Sequence, residues 1–207
     1  MKSVLITGGH GGLGTAVTAA FEAAAWRVVA PTRREADLFD QASVERVVAE
    51  AAPLHAVVNL VGGFAAGGRV HETPVEDFEQ QLRVNLRPTY LTCQAAIPHL
   101  LEAGGGSIVC VSSRTALRPF SGASGYVTSK AAVLALVDAL DVEYAKDGIR
   151  TNAVVPGMID TPANRASMPD ANRKDWVSPE AIAKTILFLS SDEASSISGA
   201  HVPVHHA

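Results

Sequence analysis

Short apolar runs alternate along this chain with longer segments in which apolar residues recur at helical spacing. The runs are long enough for buried strands, and the longer segments have the repeat of amphipathic helices. Strands are predicted over residues 3–6, 27–30, 55–59, 107–111, 149–155 and 199–204. Helices are predicted after residue 13, over 43–52, from 73 towards 99, from 125 to 148, and over 179–190.

The first predicted strand runs directly into a glycine-rich turn. Gly8, Gly12 and Gly14, with His10 and Leu13 among them, separate this strand from the first helix. Glycine lets the backbone turn sharply and approach a ligand, and a helix N-terminus offers free N–H groups to a phosphate. The strand–turn–helix context favours a dinucleotide-binding loop over a merely flexible glycine loop.

A second candidate site lies in the helix predicted from residue 125. Tyr126 and Lys130 are four positions apart, so their side chains share one face of that helix. A positive charge beside a phenol favours the phenolate and lowers the tyrosine pKa, which suits proton transfer. Taken alone, the same spacing also fits an ordinary surface pair.

Several further motifs occur along the chain at compatible spacings. In order, they are Gly8-x-x-x-Gly12-x-Gly14, Asn59-Leu60-Val61-Gly62, Asn85, Ser113, Tyr126-x-x-x-Lys130 and Pro156-Gly157. In this order and spacing the chain resembles the short-chain dehydrogenases/reductases. The resemblance implies an α/β fold with a single Rossmann-type, doubly wound parallel sheet. It also implies that residues 1–207 form one NAD(P)-binding domain.

The same resemblance implies a catalytic tetrad that reversibly reduces a carbonyl to an alcohol. Tyr126 would give its proton to the nascent alkoxide, while Lys130 lowers the Tyr126 pKa and holds the nicotinamide ribose. Ser113 would donate a hydrogen bond to the carbonyl oxygen. Asn85 would position a relay water, although a solvent-facing helical asparagine is the alternative. The substrate is a small carbonyl or alcohol compound that the sequence does not identify.

The resemblance also implies a set of cofactor-binding residues, and Asn59 has the alternative role of stabilising the sheet centre. The set is Gly8, His10, Gly12, Leu13, Gly14, Thr32, Arg33, Asp37, Leu38, Asn59, Val61, Gly62, Tyr126, Lys130, Pro156, Gly157, Ile159 and Thr161.

The end of the second predicted strand bears on the choice of cofactor. NAD enzymes usually place an acid about 20 residues past the glycine loop, where this chain has Thr32. Arg33 and Arg34 follow, and guanidinium groups suit a 2′-phosphate. We therefore expect NADP(H) to be favoured over NAD(H), unless the two arginines are simply a solvated turn.

The segment after the second strand is unusually short. In the family an Asp-hydrophobic pair such as Asp37-Leu38 flanks the adenine, usually after a further helix, and here no residues remain for that helix. The third strand of the family is therefore expected to be short or displaced. Asp40 is predicted to cap the helix over residues 43–52.

Three segments look like dihydropteridine reductases: residues 62–68, residues 160–169 with Trp176 beyond, and the abbreviated region. Pterin reduction is therefore an alternative function. The chain departs from those enzymes in three ways: Thr32 and Arg33 stand where they have an acid, and Ser113 and Asn85 are residues that they lack. The two additions, Ser113 and Asn85, point to ordinary carbonyl chemistry. A non-catalytic NADP(H)-binding sensor is a further alternative, disfavoured because binding alone needs no proton donor.

Composition bounds these expectations. The 207 residues are 47% hydrophobic with a net charge of −4, which gives no nucleic-acid footprint, and no apolar run approaches a membrane span. Cys93 and Cys110 have no metal-like spacing, so no metal is predicted and a cytoplasmic location fits.

The helix from residue 125 is apolar nearly all round, which predicts a homodimer or homotetramer through it and the Asn85 helix. His205 and His206 are assigned no role.

Overall fold

The computed structural model describes residues 1–205, so of the two terminal histidines, to which the sequence assigns no role, only His205 lies within the described residues. Within them the strands form one parallel sheet in the order β2-β1-β3-β4-β5-β6. The strands are β1 Ser3–Thr7, β2 Arg27–Val29, β3 Ala56–Asn59, β4 Gly106–Val111, β5 Ile149–Pro156 and β6 His201–Val204. The predicted single α/β parallel sheet is confirmed.

Helices cover both faces of this sheet. They are α1 Gly14–Ala23, α2 Gln41–Ala51, α3 Val75–Glu102, α4 Ser124–Tyr144, α5 Pro162–Ser167 and α6 Pro179–Ser190. Side chains alternate along each strand, so Leu5 packs in the core beneath α2, α3 and α4, whereas Val4 and Ile6 pack beneath α1 and α6. Burial on both faces explains why the strands read as continuous apolar runs.

The region after β2 is even shorter than expected. The chain turns at residues 32–36 and again at 37–40, and Asp40 then caps α2 by accepting a hydrogen bond from the Ser43 N–H at 2.8 Å. The expected short or displaced strand is absent from the described chain because these two turns use all the residues available. β2 is consequently an edge strand of the sheet.

Two helix boundaries also differ from the predictions. The sequence predicts that Thr73 caps α3 with Pro74 at its first position. Instead Pro74 precedes the helix, and the Thr73 hydroxyl donates to the carbonyl oxygens of Gly68 and Arg69, each at 3.0 Å. The second boundary is the C-terminal end of α4, which is predicted to reach residue 148. The helix stops at Tyr144, because a 3-10 turn intervenes before the left-handed residue Gly148 (φ 80°).

The order of the strands places a crevice at one edge of the sheet. From β1 the chain first steps to β2 on one side and then crosses to β3 on the other, so the connections diverge between β1 and β3. In open α/β sheets, ligands bind outside the carboxyl ends of the strands at such a switch point. The loops after Thr7 and Asn59 begin at this crevice.

Candidate active site

The glycine turn after β1 is packed too tightly for larger residues. A Cβ on Gly14 would lie 2.1 Å from the Gly8 carbonyl oxygen, and Gly8 itself has φ of +78°. The Gly8 carbonyl also accepts a hydrogen bond from the Gly11 N–H at 3.0 Å. α1 begins at Gly14, and the preceding Leu13 provides no side-chain cap. The first N–H groups of α1 therefore face the turn without a side-chain partner, as a phosphate-binding turn requires.

Two contacts tie this turn to other parts of the crevice. His10 Nε2 lies 2.8 Å from the Ala30 carbonyl oxygen, which links the turn to the end of β2. On the opposite side, a Cβ on Gly12 would lie 2.9 Å from Thr161 Cγ2. Thr161 also caps α5 by accepting the Asn164 N–H at 3.2 Å. The glycine turn is thus held between β2 and the segment after β5.

Asn59 lies at the end of β3, but its side chain is only 2% exposed. Its Oδ1 accepts a hydrogen bond from Thr7 Oγ1 at 3.3 Å, and its Nδ2 lies 3.5 Å and 3.7 Å from the sulfur atoms of Cys93 and Cys110. These contacts support the sheet-stabilising alternative for the side chain. Farther along the loop, the Val61 nitrogen lies close to Gly8, 3.2 Å from where a Cβ would stand.

Asn85 is completely buried in α3 and reaches the loop after β3. Its Nδ2 donates to the carbonyl oxygens of Gly63 and Gln81 at 3.0 Å each, and its Oδ1 accepts the Gly63 N–H at 3.1 Å. The solvent-facing alternative for this residue is wrong. The loop at Gly62 is the meeting point of Asn85 and Lys130, since a Cβ there would lie 2.6 Å from Asn85 Oδ1 and 3.0 Å from Lys130 Nζ.

Lys130 is buried on the inner face of α4, so the surface-pair interpretation is wrong. Its Nζ donates to the Val111 carbonyl oxygen at 3.2 Å, and burial lowers its pKa to about 8, although the nearby Cys110 thiol acts in the opposite direction. A contact that the sequence did not predict helps to hold it. The Ser112 hydroxyl donates to the Lys130 carbonyl oxygen at 2.7 Å and thereby joins the end of β4 to α4.

Tyr126 lies one turn before Lys130 on α4. Burial raises the pKa of its phenol, and the Ser113 hydroxyl acts to lower it. The expected lowering of the Tyr126 pKa by Lys130 is not found, because the ammonium is directed to the Val111 carbonyl and is itself desolvated. With a raised pKa, the Tyr126 phenol carries its proton at neutral pH.

Ser113 stands between β4 and the loop that leads to α4. Its Oγ accepts hydrogen bonds from the Thr115 N–H at 3.3 Å and the Thr115 hydroxyl at 3.0 Å. Because a hydroxyl has one proton and two lone pairs, Ser113 keeps its own proton for donation. The structure thus places Ser113, Tyr126, Lys130 and Asn85 around the carboxyl ends of β3 and β4.

The residues after β2 are more exposed to solvent than Lys130 and Asn85. Thr32 donates its N–H to Glu35 Oε2 at 2.8 Å, and this hydrogen bond is the main cause that lowers the Glu35 pKa. The sequence does not single out Glu35, because it lies three residues beyond the position that usually carries the acid. Arg33 is exposed and forms no ion pair within residues 1–205. Asp37 Oδ1 accepts the Phe39 N–H at 2.9 Å.

Leu38, the neighbour of Asp37, packs against the core between the sheet and α2. The remaining predicted residues follow β5. Pro156 ends that strand, and the Gly157 N–H donates to the Val204 carbonyl at 3.0 Å. Ile159 forms a parallel bridge with Val177. These bonds fix the segment after β5 against the sheet.

A cleft of about 610 Å³ opens between the glycine turn and the segment after β5. It is lined by Gly12, Thr15, Asp160 and Arg165, among others. Arg165 binds Asp160 through Nε and Nη2 at 2.6 and 2.7 Å. In the described chain no helix could cross a membrane, and no group of three potential metal-ligating side chains clusters together.

Comparison with known proteins matches residues 12–206 to a family described as enoyl-(acyl carrier protein) reductase. The chain is 36% identical over 184 residues to 2-(R)-hydroxypropyl-CoM dehydrogenase of Xanthobacter autotrophicus, covering 81% of this chain and 74% of the relative. A short chain dehydrogenase/reductase family oxidoreductase from Burkholderia thailandensis superposes with a TM-score of 0.88 at 28% identity, covering 98% and 90% of the two chains. ElxO with NADP bound superposes with a TM-score of 0.91 at 26% identity, covering 98% and 96%.

Proposed function

The chain belongs to the short-chain dehydrogenase/reductase family, and we propose that it is an oxidoreductase that reversibly reduces a small carbonyl compound to an alcohol. The observation that carries the proposal is the arrangement of a proton-bearing Tyr126 beside Ser113, with Lys130 and Asn85 buried behind the same crevice. Residues 1–207 are proposed to act as one cofactor-binding domain.

The proposed roles follow from the chemistry of each side chain. A nicotinamide dinucleotide would supply the hydride when bound. Tyr126 acts as the general acid, since its raised pKa keeps the phenol protonated until the carbonyl oxygen gains negative charge. Ser113 donates its hydroxyl proton as a hydrogen bond to that oxygen. Lys130 stands behind the reacting groups as a cation of lowered pKa, held near Asn85 by the Gly62 loop.

Several observations support a dinucleotide cofactor. The tight glycine turn allows close approach of a pyrophosphate, and α1 offers its N-terminus there. The structural relative ElxO has been solved with NADP bound. We propose NADP(H) in preference to NAD(H), with the exposed Arg33 and Arg34 attracting a 2′-phosphate. Glu35 opposes this preference because its carboxylate lies at the Thr32 N–H.

The decisive experiment follows NADPH and NADH oxidation with a panel of ketones, aldehydes and quinonoid dihydropterin. Tyr126→Phe is expected to lower turnover about 10²–10⁴-fold, as removal of a general acid does, while the dissociation constant for NADPH stays within a few-fold. Tyr90→Phe on the exposed side of α3 is the matched control and should keep full activity, because it removes only a hydroxyl and keeps the apolar ring on the α3 surface.

Three results would contradict the proposal in different ways. If turnover of a confirmed carbonyl substrate survives Tyr126→Phe, Tyr126 is not the proton donor. NADPH binding with no turnover of any compound would favour a non-catalytic sensor. Tyrosine-dependent turnover of the pterin alone would replace general carbonyl chemistry with the pterin reduction considered from the sequence.

We further propose that the protein is a homodimer or homotetramer that assembles through α3 and α4. Apolar side chains remain exposed on both helices, among them Tyr90 and Val142. Light scattering on a sizing column should then give two or four times the 21.6 kDa chain mass. A 21.6 kDa species at micromolar concentration would contradict this assembly.

A further inference from the structure

Large apolar side chains are exposed on two loops beside Tyr126. Phe64 follows β3 and is 63% exposed, and Phe120 and Leu117 lie between Ser113 and α4 with 48% and 54% exposed. Clustered apolar exposure of this kind marks a binding surface, whereas scattered single residues need no explanation.

Phe64, Phe120 and Tyr126 form one aromatic cluster. The Phe64 ring stands edge-to-face to the Tyr126 ring, with centroids 4.9 Å apart and an interplanar angle of 85°. The Phe120 ring lies 6.4 Å from that of Phe64, so these two rings contact each other. A ligand ring would therefore pack across their exposed faces rather than between them. Such a ring would lie directly beside the proposed proton donor.

The backbone holds these loops in place. The Gly67 N–H donates to the Gly122 carbonyl oxygen at 2.7 Å, which joins the Phe64 loop to the Phe120 loop. The Ala65 N–H donates to Gln81 Oε1 at 3.2 Å and fastens the first loop to α3. An aromatic surface that is already positioned costs little ordering entropy when a ligand binds.

The same two loops carry a positive charge. Residues 60–70 and 112–124 contain Arg69, Arg114 and Arg118 but no acidic residue, although the whole chain has a net charge of −4. Arg69 lies 3.6 Å from Glu72, whereas Arg114 and Arg118 are exposed and form no ion pair within residues 1–205. Guanidinium groups bind carboxylate and similar anions in bidentate geometry.

We infer that the substrate is an aromatic carbonyl compound that carries an anionic substituent. Its ring packs on Phe64 and Phe120, its carbonyl reaches Tyr126, and its anionic group is attracted by Arg114 and Arg118. This inference rests on the proposed function and names its substrate class. In the reduction the carbonyl carbon gains the hydride and the oxygen gains the Tyr126 proton, while the ring and the anionic group are unchanged.

Three matched aldehydes test the two features separately: 4-formylbenzoate, its neutral methyl ester, and the saturated 4-formylcyclohexanecarboxylate. We expect kcat/KM for 4-formylbenzoate to exceed that for each of the other two by about tenfold, because each comparison removes one recognised feature. The advantage of the acid over the ester should shrink with added salt.

Variants assign these preferences to side chains. Phe64→Leu should lower the aromatic-to-saturated ratio of kcat/KM about fivefold, whereas Phe188→Leu, an exposed phenylalanine on α6, should leave it unchanged. The double variant Arg114→Gln with Arg118→Gln should lower the acid-to-ester ratio by a similar factor. Arg83→Gln, an exposed arginine on α3, is its control.

The outcomes separate this inference from the proposed function. Tyr126-dependent turnover with no preference for the aromatic ring or the anion overturns the inference and leaves the function standing. If none of the aldehydes reacts, calorimetric binding of 4-formylbenzoate in the presence of NADP⁺ decides. Binding that Phe64→Leu weakens supports the ligand class and overturns only the carbonyl chemistry, whereas absence of binding overturns the inference.

Discussion

The buried region where α3 and α4 meet the end of β4 and the exposed turn after β2 border the same crevice but are built differently. Lys130 and Asn85 are buried and bonded to neighbouring backbone, so their packing leaves one arrangement. Arg33 and Glu35 are exposed, and water can satisfy them in many arrangements. The spacing of motifs therefore predicts the positions of side chains that are fixed by packing. It does not predict the positions of side chains that are surrounded by solvent.

The largest expected effect concerns the charge of Lys130 in the buried region. Burial lowers its pKa from 10.5 to about 8. Between these values the unfolded chain keeps the proton that the native protein loses, so this group makes stability rise with pH. Lys130→Met should therefore be more stable than the parent by up to about 3 kcal/mol below pH 8, and the difference should vanish towards pH 10.5. Urea denaturation across this range measures it.

A difference in unfolding free energy that stays constant with pH would contradict the buried-ammonium interpretation. Lys146→Met provides the control, because Lys146 is exposed in the turn after α4. Its effect on stability should be small and independent of pH.

The next effect tests whether Gly62 really joins Asn85 to Lys130. Gly62→Ala places a methyl group 2.6 Å from Asn85 Oδ1 and 3.0 Å from Lys130 Nζ, so one or both must move. A displacement of about 1 Å costs about 100-fold in activity, and we expect that loss in kcat/KM. Gly63→Ala is the matched control, since its Cβ would meet only Val84 Cγ2 at 3.6 Å. Equal activities of the two variants would show that the contact has no catalytic consequence.

Much of the fold could be predicted because each element repeats one simple rule. Strands buried on both faces give continuous apolar runs, and Val44, Val47 and Val48 mark the inner face of α2 at helical spacing. The cap predicted at Thr73 is wrong because the backbone of Pro74 is not yet helical (ψ 144°), so α3 begins at Val75 and the Thr73 hydroxyl donates to the Gly68 carbonyl in the preceding loop. The family's third strand, which would follow β2, is absent here, and the sequence indicates its loss only by the small number of residues between β2 and α2.

In the candidate site, too, some features follow from local sequence patterns and others depend on distant parts of the chain. The spacing of Tyr126 and Lys130 predicts that they share a helix face, but it carries no information on desolvation, which raises one pKa and lowers the other. The aromatic neighbour Phe64 comes from a loop 62 residues earlier, so no local pattern announces it. Tertiary contacts of this kind follow from the fold rather than from local sequence.

A smaller effect is expected in the exposed turn after β2. There the carboxylate of Glu35 repels a 2′-phosphate, whereas the guanidinium groups of Arg33 and Arg34 attract it. Glu35→Gln removes a negative charge beside the Thr32 N–H, so a 2′-phosphate is repelled less. The ratio of the NADH to the NADPH dissociation constant should rise about tenfold at low salt and less at high salt. Cofactor fluorescence measures both constants. An unchanged ratio, or an equal change in the control Glu22→Gln on the exposed side of α1, would contradict this role.

The smallest effect separates stability from cofactor choice within that same region. Asp40 accepts the Ser43 N–H at 2.8 Å, so Asp40→Ala leaves an N-terminal group of α2 uncapped and should cost about 1 kcal/mol of unfolding free energy. Asp77→Ala, an exposed acid in the first turn of α3 that is not its cap, should cost less. Because Asp40 acts on α2 rather than on the Thr32 turn, the NADH-to-NADPH ratio should not change. A shifted ratio would mean that the cap also positions the cofactor end of β2, and the two functions of this segment would then be coupled.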